Sequence, residues 1–409
     1  MLSHEAARAK VIEVVTARST ALPATETIEF SDDPSRALGR ILAENIIADR
    51  NYPPFDRSTR DGFAVRAADA PNPGARLRLI GESRAGRAFE GQMEAGSSVQ
   101  IMTGAPLPRG ANAVVMLEDA HVEGDFVVIQ HAVRPGQHYV VEGQETRAGE
   151  SVIKRGKRLG YAELAMAAQV GRCKVAVAKR PRVAILSTGD EIVFAGNSPQ
   201  RFQIRNSNSI SLAAQVSLAG GEPWVAGIAP DNVTELRARI EQALKADIVI
   251  LTGGVSVGKY DLVEQVLKEM RVEFFFDAIA IRPGRPAVFG ACNNTPVFGL
   301  PGNPVSTMVT FEILAVPAIE AMSGHTPGSL HLFKAKLAHP LDEKPPLAHF
   351  LPARVQWPCG EATVETLHWE GSGDIGSVVR GNCFLLVHES RLKLEAGEIV
   401  DILPRRGLF

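Results

Sequence analysis

Four short stretches of this chain pair turn-forming spacing with residues able to hold an anion or a cation. In "ILTGGVSVGKYD", residues 250–261, an apolar run opens into Gly253, Gly254, Ser256 and Gly258 and ends on Asp261. The spacing matches neither the Walker A phosphate loop nor the full dinucleotide fingerprint. What remains is a run of backbone N–H groups leading into a helix N-terminus, which suits an anion. Asp261 either complements the positive end of that helix or faces the ligand as a carboxylate. In "LSTGDEIV" the pair Asp190 and Glu191 follows a strand and a Thr-Gly turn; it reads as an acidic turn in solvent or as oxygen ligands for a hard cation.

The other two stretches lie further along. "IRPGRPAVFG" sets Arg282 and Arg285 on either side of a Pro-Gly turn. They are two solvated side chains of a surface turn, or two guanidinium forks that clasp a tetrahedral oxyanion. "GLPGNPVSTMVTFEIL" places glycines and two prolines just before a long apolar helix, with Ser306 near its first turn; helix punctuation accounts for most of that pattern. The ten histidines show no HExxH or other zinc spacing, and no GxSxG elbow occurs, so zinc hydrolysis and triad chemistry rank low.

These loops need a scaffold to position them. At 409 residues the chain has room for several compact units. With 45% hydrophobic and 22% charged residues it has the composition of a globular protein. A formal charge of -2 gives no basic field for duplex nucleic acid, so small molecules or proteins are the expected partners. Cys173, Cys292, Cys359 and Cys383 form no CxxC pair or metal-like spacing and read as reduced, structural thiols. The N-terminus lacks a basic region followed by an apolar core, and no apolar run approaches the roughly 20 residues of a membrane span, so a cytoplasmic protein without membrane contact is expected.

Helical periodicity runs through residues 5 to 17, and "DDPSRALGRILAENII" predicts a second helix opening at Asp33 and Pro34, the two forming an N-terminal helical arm. From about 60 to 155 short β-type runs such as "GFAV", "RLRLIG" and "AVVML" predict a small inserted β module. A helix at "YAELAMAAQVG" follows. From 175 to 323 strands and helices then alternate, which predicts an α/β layer with a largely parallel sheet. In such a sheet ligands sit beyond the carboxyl ends of the strands. The last 80 or so residues return to β-type segments and predict a C-terminal β domain.

Taken together, "ALGRILAENIIADRNYPPFDRSTRDGFAV", "IMTGAPLPRGANAVVMLED", "ILSTGDEIV", "LTGGVSVGKYD", "IRPGRPAVFGACNNTPVFGLPGNPVS" and "GSGDIGS" occur in an order that resembles the molybdopterin molybdenumtransferases, a family including the bacterial MoeA proteins and the E domains of gephyrin-like proteins. The resemblance covers nearly the whole chain. It implies an elongated homodimer in which residues 1–48 and 146–177 form a linker and dimerisation domain, 49–145 the inserted β module, 178–327 the α/β molybdopterin-binding domain and 328–409 the C-terminal β domain.

The resemblance also implies a reaction: adenylated molybdopterin and molybdate give molybdenum cofactor and AMP, with Mg²⁺ required. By position in the matching motifs, Asp61, Thr103, Glu191, Asp231 and Asp261 are its catalytic candidates, and Glu191, Asp231 and Asp261 those for the metal. Gly253, Gly254, Ser256, Gly258, Gly302 and Asn303 are the implied pterin-binding residues. Arg282, Arg285, Ser306, Arg354 and Ser372 are implied for molybdate. Molybdopterin adenylyltransferase and apo-molybdoenzymes are the implied protein partners, and a site shared between two subunits is expected for Asp61 and Thr103. A non-catalytic pterin-binding or scaffold protein on the same fold is the alternative. Three departures stand out. Thr59 and Arg60 precede Asp61 where the family usually has a small residue and methionine, Glu145 holds the acidic place of a frequent "GED", and arginines replace the lysines of "KPGKP".

Overall fold

The computed structural model describes residues 1–18, 24–254, 262–342, 347–391 and 393–408. The chain divides into two compact units, one of Met1–Thr27, Gly39–Ile41 and Ala176–Phe409, the other of Ile28–Leu38 and Leu42–Val175.

The centre of the first unit is a six-stranded sheet in the order Glu222–Ala229, Arg182–Thr188, Ile248–Thr252, Thr295–Leu300, Val288–Cys292, Glu273–Phe276. The first four strands run parallel, Val288–Cys292 pairs antiparallel to the fourth, and Glu273–Phe276 pairs antiparallel to that one in turn. Strand side chains alternate between faces: Val183, Ile185, Ile248 and Ile250 enter one apolar cluster, while Ala184, Leu186, Val249 and Leu251 enter another. Helices cover both faces, so the strands read as unbroken apolar runs. Leu212 and Val216 of helix Asn208–Leu218 pack on the first face, and Leu236 and Ile240 of helix Val233–Ala243 pack on the second.

The helix His4–Arg18 fulfils the expectation for residues 5–17 and buries Ala7, Val11, Val14 and Val15 against the first cluster. The second helix does not form. After Asp33, whose carboxylate accepts the Ser35 N–H at 3.1 Å, there is a single 3-10 turn, Pro34–Arg36. Gly39 then takes a φ of 76°, a left-handed conformation that ends any helix, and Ile46–Ile47 pairs as a strand with Ser151–Ile153. Strand pairing wins over the local helical pattern there.

The apolar helix predicted after residue 303 runs over Pro304–Met322. By length and composition alone it is long and apolar enough to cross a membrane, contrary to the expectation that no run approaches that length, but most of it is buried in the core of this unit. Its middle, Phe311–Ala315, widens into a π turn. There Arg8 donates to the Glu312 and Ile313 carbonyls at 3.3 and 3.2 Å, serving backbone groups that the wider turn leaves available.

The C-terminal β segment is a ring. Ala348–Gln356, Thr363–Thr366, Phe333–Leu337, Ile399–Pro404 and Cys383–Val387 pair in that order, and the last pairs back with the first. Closure removes the sheet edges and encloses Leu351, Val364, Leu385 and Ile402. The short strand Ile281–Arg282 adds to this ring beside Ala348–His349. Among the described residues Cys173, Cys292 and Cys383 are free thiols, and burial pushes Cys383 up to about 12.

The second unit holds the inserted β module. Its sheet runs Ala113–Met116, Gly62–Val65, Ser97–Ile101, Ala75–Ser83, Phe126–Ile129, Ala120–Glu123. Gly62 is required at its place, because a Cβ there would lie 1.8 Å from the Val115 carbonyl oxygen.

Candidate functional site

In the parallel part of the sheet the chain leaves strand Arg182–Thr188 to build its neighbour Glu222–Ala229 on one side, then crosses to build Ile248–Thr252 on the other. The loops beyond these carboxyl ends diverge, which leaves a crevice at the switch in strand order. A pocket of about 380 Å³ opens there, lined by Thr188, Glu191, Asn206, Asn208, Thr252, Gly253, Gly254, Gly302 and Asn303 among others.

Its walls are tied by one side chain. Asn208 Nδ2 donates to Thr252 Oγ1 at 2.9 Å and to the Gly302 carbonyl at 2.8 Å, joining three loops. Thr252 Oγ1 passes its own proton to the Pro301 carbonyl at 3.1 Å. Gly253 and Gly254 have φ of 91° and 60°, and a Cβ on Gly253 would stand 2.6 Å from the Thr188 carbonyl oxygen. These glycines allow the backbone to come against Thr188, which no side-chain-bearing residue would permit.

The helices Asn208–Leu218 and Pro304–Met322 both begin at this pocket, their first residues among its lining. Two helix N-termini place positive dipole ends beside it. Two buried lining atoms, Thr188 Oγ1 and Asn208 Oδ1, have no hydrogen-bond partner among the described residues. A buried polar atom without a partner costs about 1–3 kcal/mol, a cost that a polar ligand relieves. The arrangement suits a polar ligand with an anionic group at the helix ends.

Of the residues expected to bind pterin, Gly253, Gly254, Gly302 and Asn303 line this pocket, while Ser256 and Gly258 lie outside the described residues. Glu191 lines it as well. Asp190 Oδ1 accepts the Asp231 N–H at 3.0 Å, which brings the two acidic loops side by side. Asp261 lies outside the described residues, and among those described no group of three or more His, Cys, Asp or Glu is gathered as a metal cage would need.

The residues expected for molybdate are more dispersed. Arg282 and Arg285 are exposed on either side of Pro283 and Gly284, the latter at a φ of 113°; Arg285 adjoins the lining residue Pro286, and neither arginine lines the pocket itself. Ser306 is buried in the first turns of helix Pro304–Met322, two positions past the lining residue Pro304. Arg354 is held by the Arg380 carbonyl at 2.8 and 3.2 Å. Ser372 Oγ accepts the Asn303 Nδ2 proton at 2.9 Å, which sets it beside the pocket's lining.

In the other unit Thr103 donates its backbone N–H and its hydroxyl to Asp61 Oδ1, at 2.6 and 2.7 Å. These two bonds hold the Asp61 carboxyl below the usual carboxylate range. Arg57 pairs with Glu145 at 2.7 Å. Sequence reasoning missed Thr188, Arg205, Asn206 and Asn208 as lining residues. The signal for Asn206 and Asn208 was the polar "RNSNS" run ahead of the apolar stretch that follows it.

Residues 2–171 match the MoeA N-terminal region (domain I and II), residues 184–321 a probable molybdopterin binding domain, and residues 334–404 the MoeA C-terminal region (domain IV). The chain is 33% identical over 420 residues to a molybdopterin molybdenumtransferase of Haemophilus influenzae, with both chains covered in full. It is 31% identical over 376 residues to one of Staphylococcus aureus, covering 90% of this chain and 89% of that one. A solved molybdopterin biosynthesis MoeA protein from Pyrococcus horikoshii superimposes with a TM-score of 0.78 at 34% identity, over 97% of this chain and 98% of its own. A second from strain OT3 gives 0.79 at 28% identity, over 99% and 100%.

Proposed function

Because the chain belongs to the molybdopterin molybdenumtransferase family, we propose that it inserts molybdenum from molybdate into adenylated molybdopterin and releases AMP. The observation that carries this reading is the pocket at the switch in strand order, with two helix N-termini and two buried polar atoms unpartnered among the described residues.

The chemical problem is repulsion: molybdate is a dianion and must approach a substrate that already carries phosphates. Helix N-termini and the backbone N–H groups of the glycine loops receive the phosphates. Arg282 and Arg285 draw the oxyanion to the neighbouring turn, with Ser306, Arg354 and Ser372 as further donors. Thr188 and Asn208 meet the polar edge of the ring system and hold it in one orientation. Asn208 also keeps the loops of Thr252 and Gly302 together while the ligand is bound.

Glu191 and Asp231, with Asp261, offer the all-oxygen donor set that a hard cation prefers. Mg²⁺ bound there would neutralise phosphate charge during cleavage of the phosphoanhydride. Asp190 keeps the loop of Asp231 against that of Glu191, so that neighbouring loops would supply two carboxylates to such a cation. The family resemblance further supports a cytoplasmic homodimer in which Asp61 and Thr103 of one subunit serve the cleft of the other. It also supports an adenylyltransferase as supplier and apo-molybdoenzymes as recipients, and the domain division 1–48 with 146–177, 49–145, 178–327 and 328–409.

The test is AMP release from adenylated molybdopterin with molybdate and Mg²⁺. Glu191→Gln and Asp231→Asn are expected to lower kcat by at least about tenfold, the loss of one charged hydrogen-bonding partner. Arg282→Gln and Arg285→Gln are expected to raise the molybdate KM by about ten- to a hundredfold on the same scale. Tight pterin binding without AMP release would point instead to a scaffold on this fold.

A further inference from the structure

Asn303 occupies the N-cap of helix Pro304–Met322, a position where asparagine ordinarily accepts an N–H of the first turn with its side-chain oxygen. Here it makes no side-chain cap. Its amide donates instead to Ser372 Oγ at 2.9 Å, and the next backbone N–H, that of Val305, donates to the Ser372 carbonyl at 3.0 Å. Ser372 is thus gripped by backbone and side chain together, from a helix start 69 positions away in the sequence.

Both ends of this link are held. On one side Gly302, the neighbour of Asn303, is tied through its carbonyl to Asn208, and both Gly302 and Asn303 line the pocket. On the other, the turn carrying Ser372 closes with Asp374 N–H on the Gly371 carbonyl at 3.0 Å, and Asp374 Oδ1 accepts the Ser377 N–H at 3.1 Å to start helix Ile375–Arg380. Ser377 is fully buried and anchors that helix.

The polarity of the contact matters. A hydroxyl has one proton and two acceptor sites. Because Ser372 Oγ accepts from Asn303, its own proton is left to donate, and accepting a hydrogen bond makes it a better donor. We propose that Asn303 is a positioning residue that orients the Ser372 hydroxyl outward as an oxyanion donor, tying molybdate recognition to the loop that lines the pterin pocket. This rests on the transferase reading above.

The two can fail separately. Steady-state AMP release is measured against molybdate and against adenylated molybdopterin for wild type, Asn303→Ala, Asn303→Asp, Ser372→Ala and the Asn303→Ala/Ser372→Ala pair. Asn303→Ala is expected to raise the molybdate KM by about three- to tenfold, the scale of one neutral hydrogen bond, and by more than it raises the pterin KM. Asn303→Asp, of nearly the same shape, is expected to be worse than alanine, because a carboxylate takes the Ser372 proton inward. In the Ser372→Ala background the Asn303→Ala change should add nothing to the molybdate KM. An unchanged molybdate KM in Asn303→Ala, an Asn303→Asp enzyme like wild type, or additive effects in the pair would each overturn the proposal. A wild type that releases no AMP overturns the transferase reading itself.

Discussion

Asp61 and Thr103, 42 positions apart, meet through a single oxygen: Asp61 Oδ1 accepts both the Thr103 backbone N–H and the Thr103 hydroxyl. Two donors on one carboxylate oxygen stabilise its charged form, which is why the group titrates below its ordinary range.

Removing one donor tests that cause. Thr103→Val keeps the N–H and loses the hydroxyl, so the Asp61 pKa is expected to rise toward its ordinary value, while Thr103→Ser leaves it low. The sign follows from linkage. A depressed native pKa contributes stability above the unfolded value, about 3.9, and loses it as pH falls through the native one. A carboxyl NMR titration reads the shift directly, and an unmoved Asp61 signal in Thr103→Val would refute the assignment. AMP release is expected to fall about two- to tenfold with the lost hydrogen bond.

Gly253 is the tightest point of the pocket. Gly253→Ala would set a Cβ 2.6 Å from the Thr188 carbonyl oxygen at a φ of 91°. The expected cost is about 1–3 kcal/mol, that of a non-glycine residue in a sparsely populated conformation, with weaker binding of the adenylated substrate. Gly302→Ala is the comparison, since its nearest neighbour, Gly253 Cα, would be 3.5 Å away, an ordinary contact. Urea midpoints at constant slope separate the two; equal stability would show that the loop yields freely.

Glu312 supplies a pH dependence of the opposite sense. Burial pushes its carboxyl up, against the pull of Arg406 at 3.3 Å and of the Gln215 amide at 3.3 Å. A raised native pKa means that its contribution to stability is fully present below the unfolded value, about 4.3, and is lost as pH rises through the native one. Wild type should therefore lose stability relative to Glu312→Gln as pH is raised from about 4 toward neutrality. A difference that stays flat, or grows in favour of wild type, would contradict the burial argument.

Much of the scaffold was legible because it is local. The centres of "RVAILSTG" and "DIVILTGG", Val183–Leu186 and Ile248–Leu251, are apolar at four successive positions, as a parallel strand buried on both faces requires. The failed helix at Asp33 shows the limit. Its capping and periodicity were correct as far as one turn, but Gly39 and the pairing of Ile46–Ile47 with Ser151–Ile153 set the outcome from outside the window. Thr188 and Asn208 were missed for a related reason. A threonine ending a strand and an asparagine opening a helix are ordinary punctuation until the fold buries in the pocket wall one oxygen of each that has no partner among the described residues.

By itself the chain's order of residues determined most of the strands and helices, the segment after Asp33 apart, and which loops carry glycine, carboxylate or guanidinium, since period and backbone freedom belong to neighbours in sequence. Which loops meet was decided by tertiary structure alone. Strand Arg182–Thr188 lies between two strands that follow it, so residues 188, 208, 252 and 302 converge only once the sheet is assembled. The grip of Asn303 on Ser372 likewise exists only after the C-terminal ring has closed beside that sheet, since hydrogen bonds over such separations depend on packing rather than on sequence spacing.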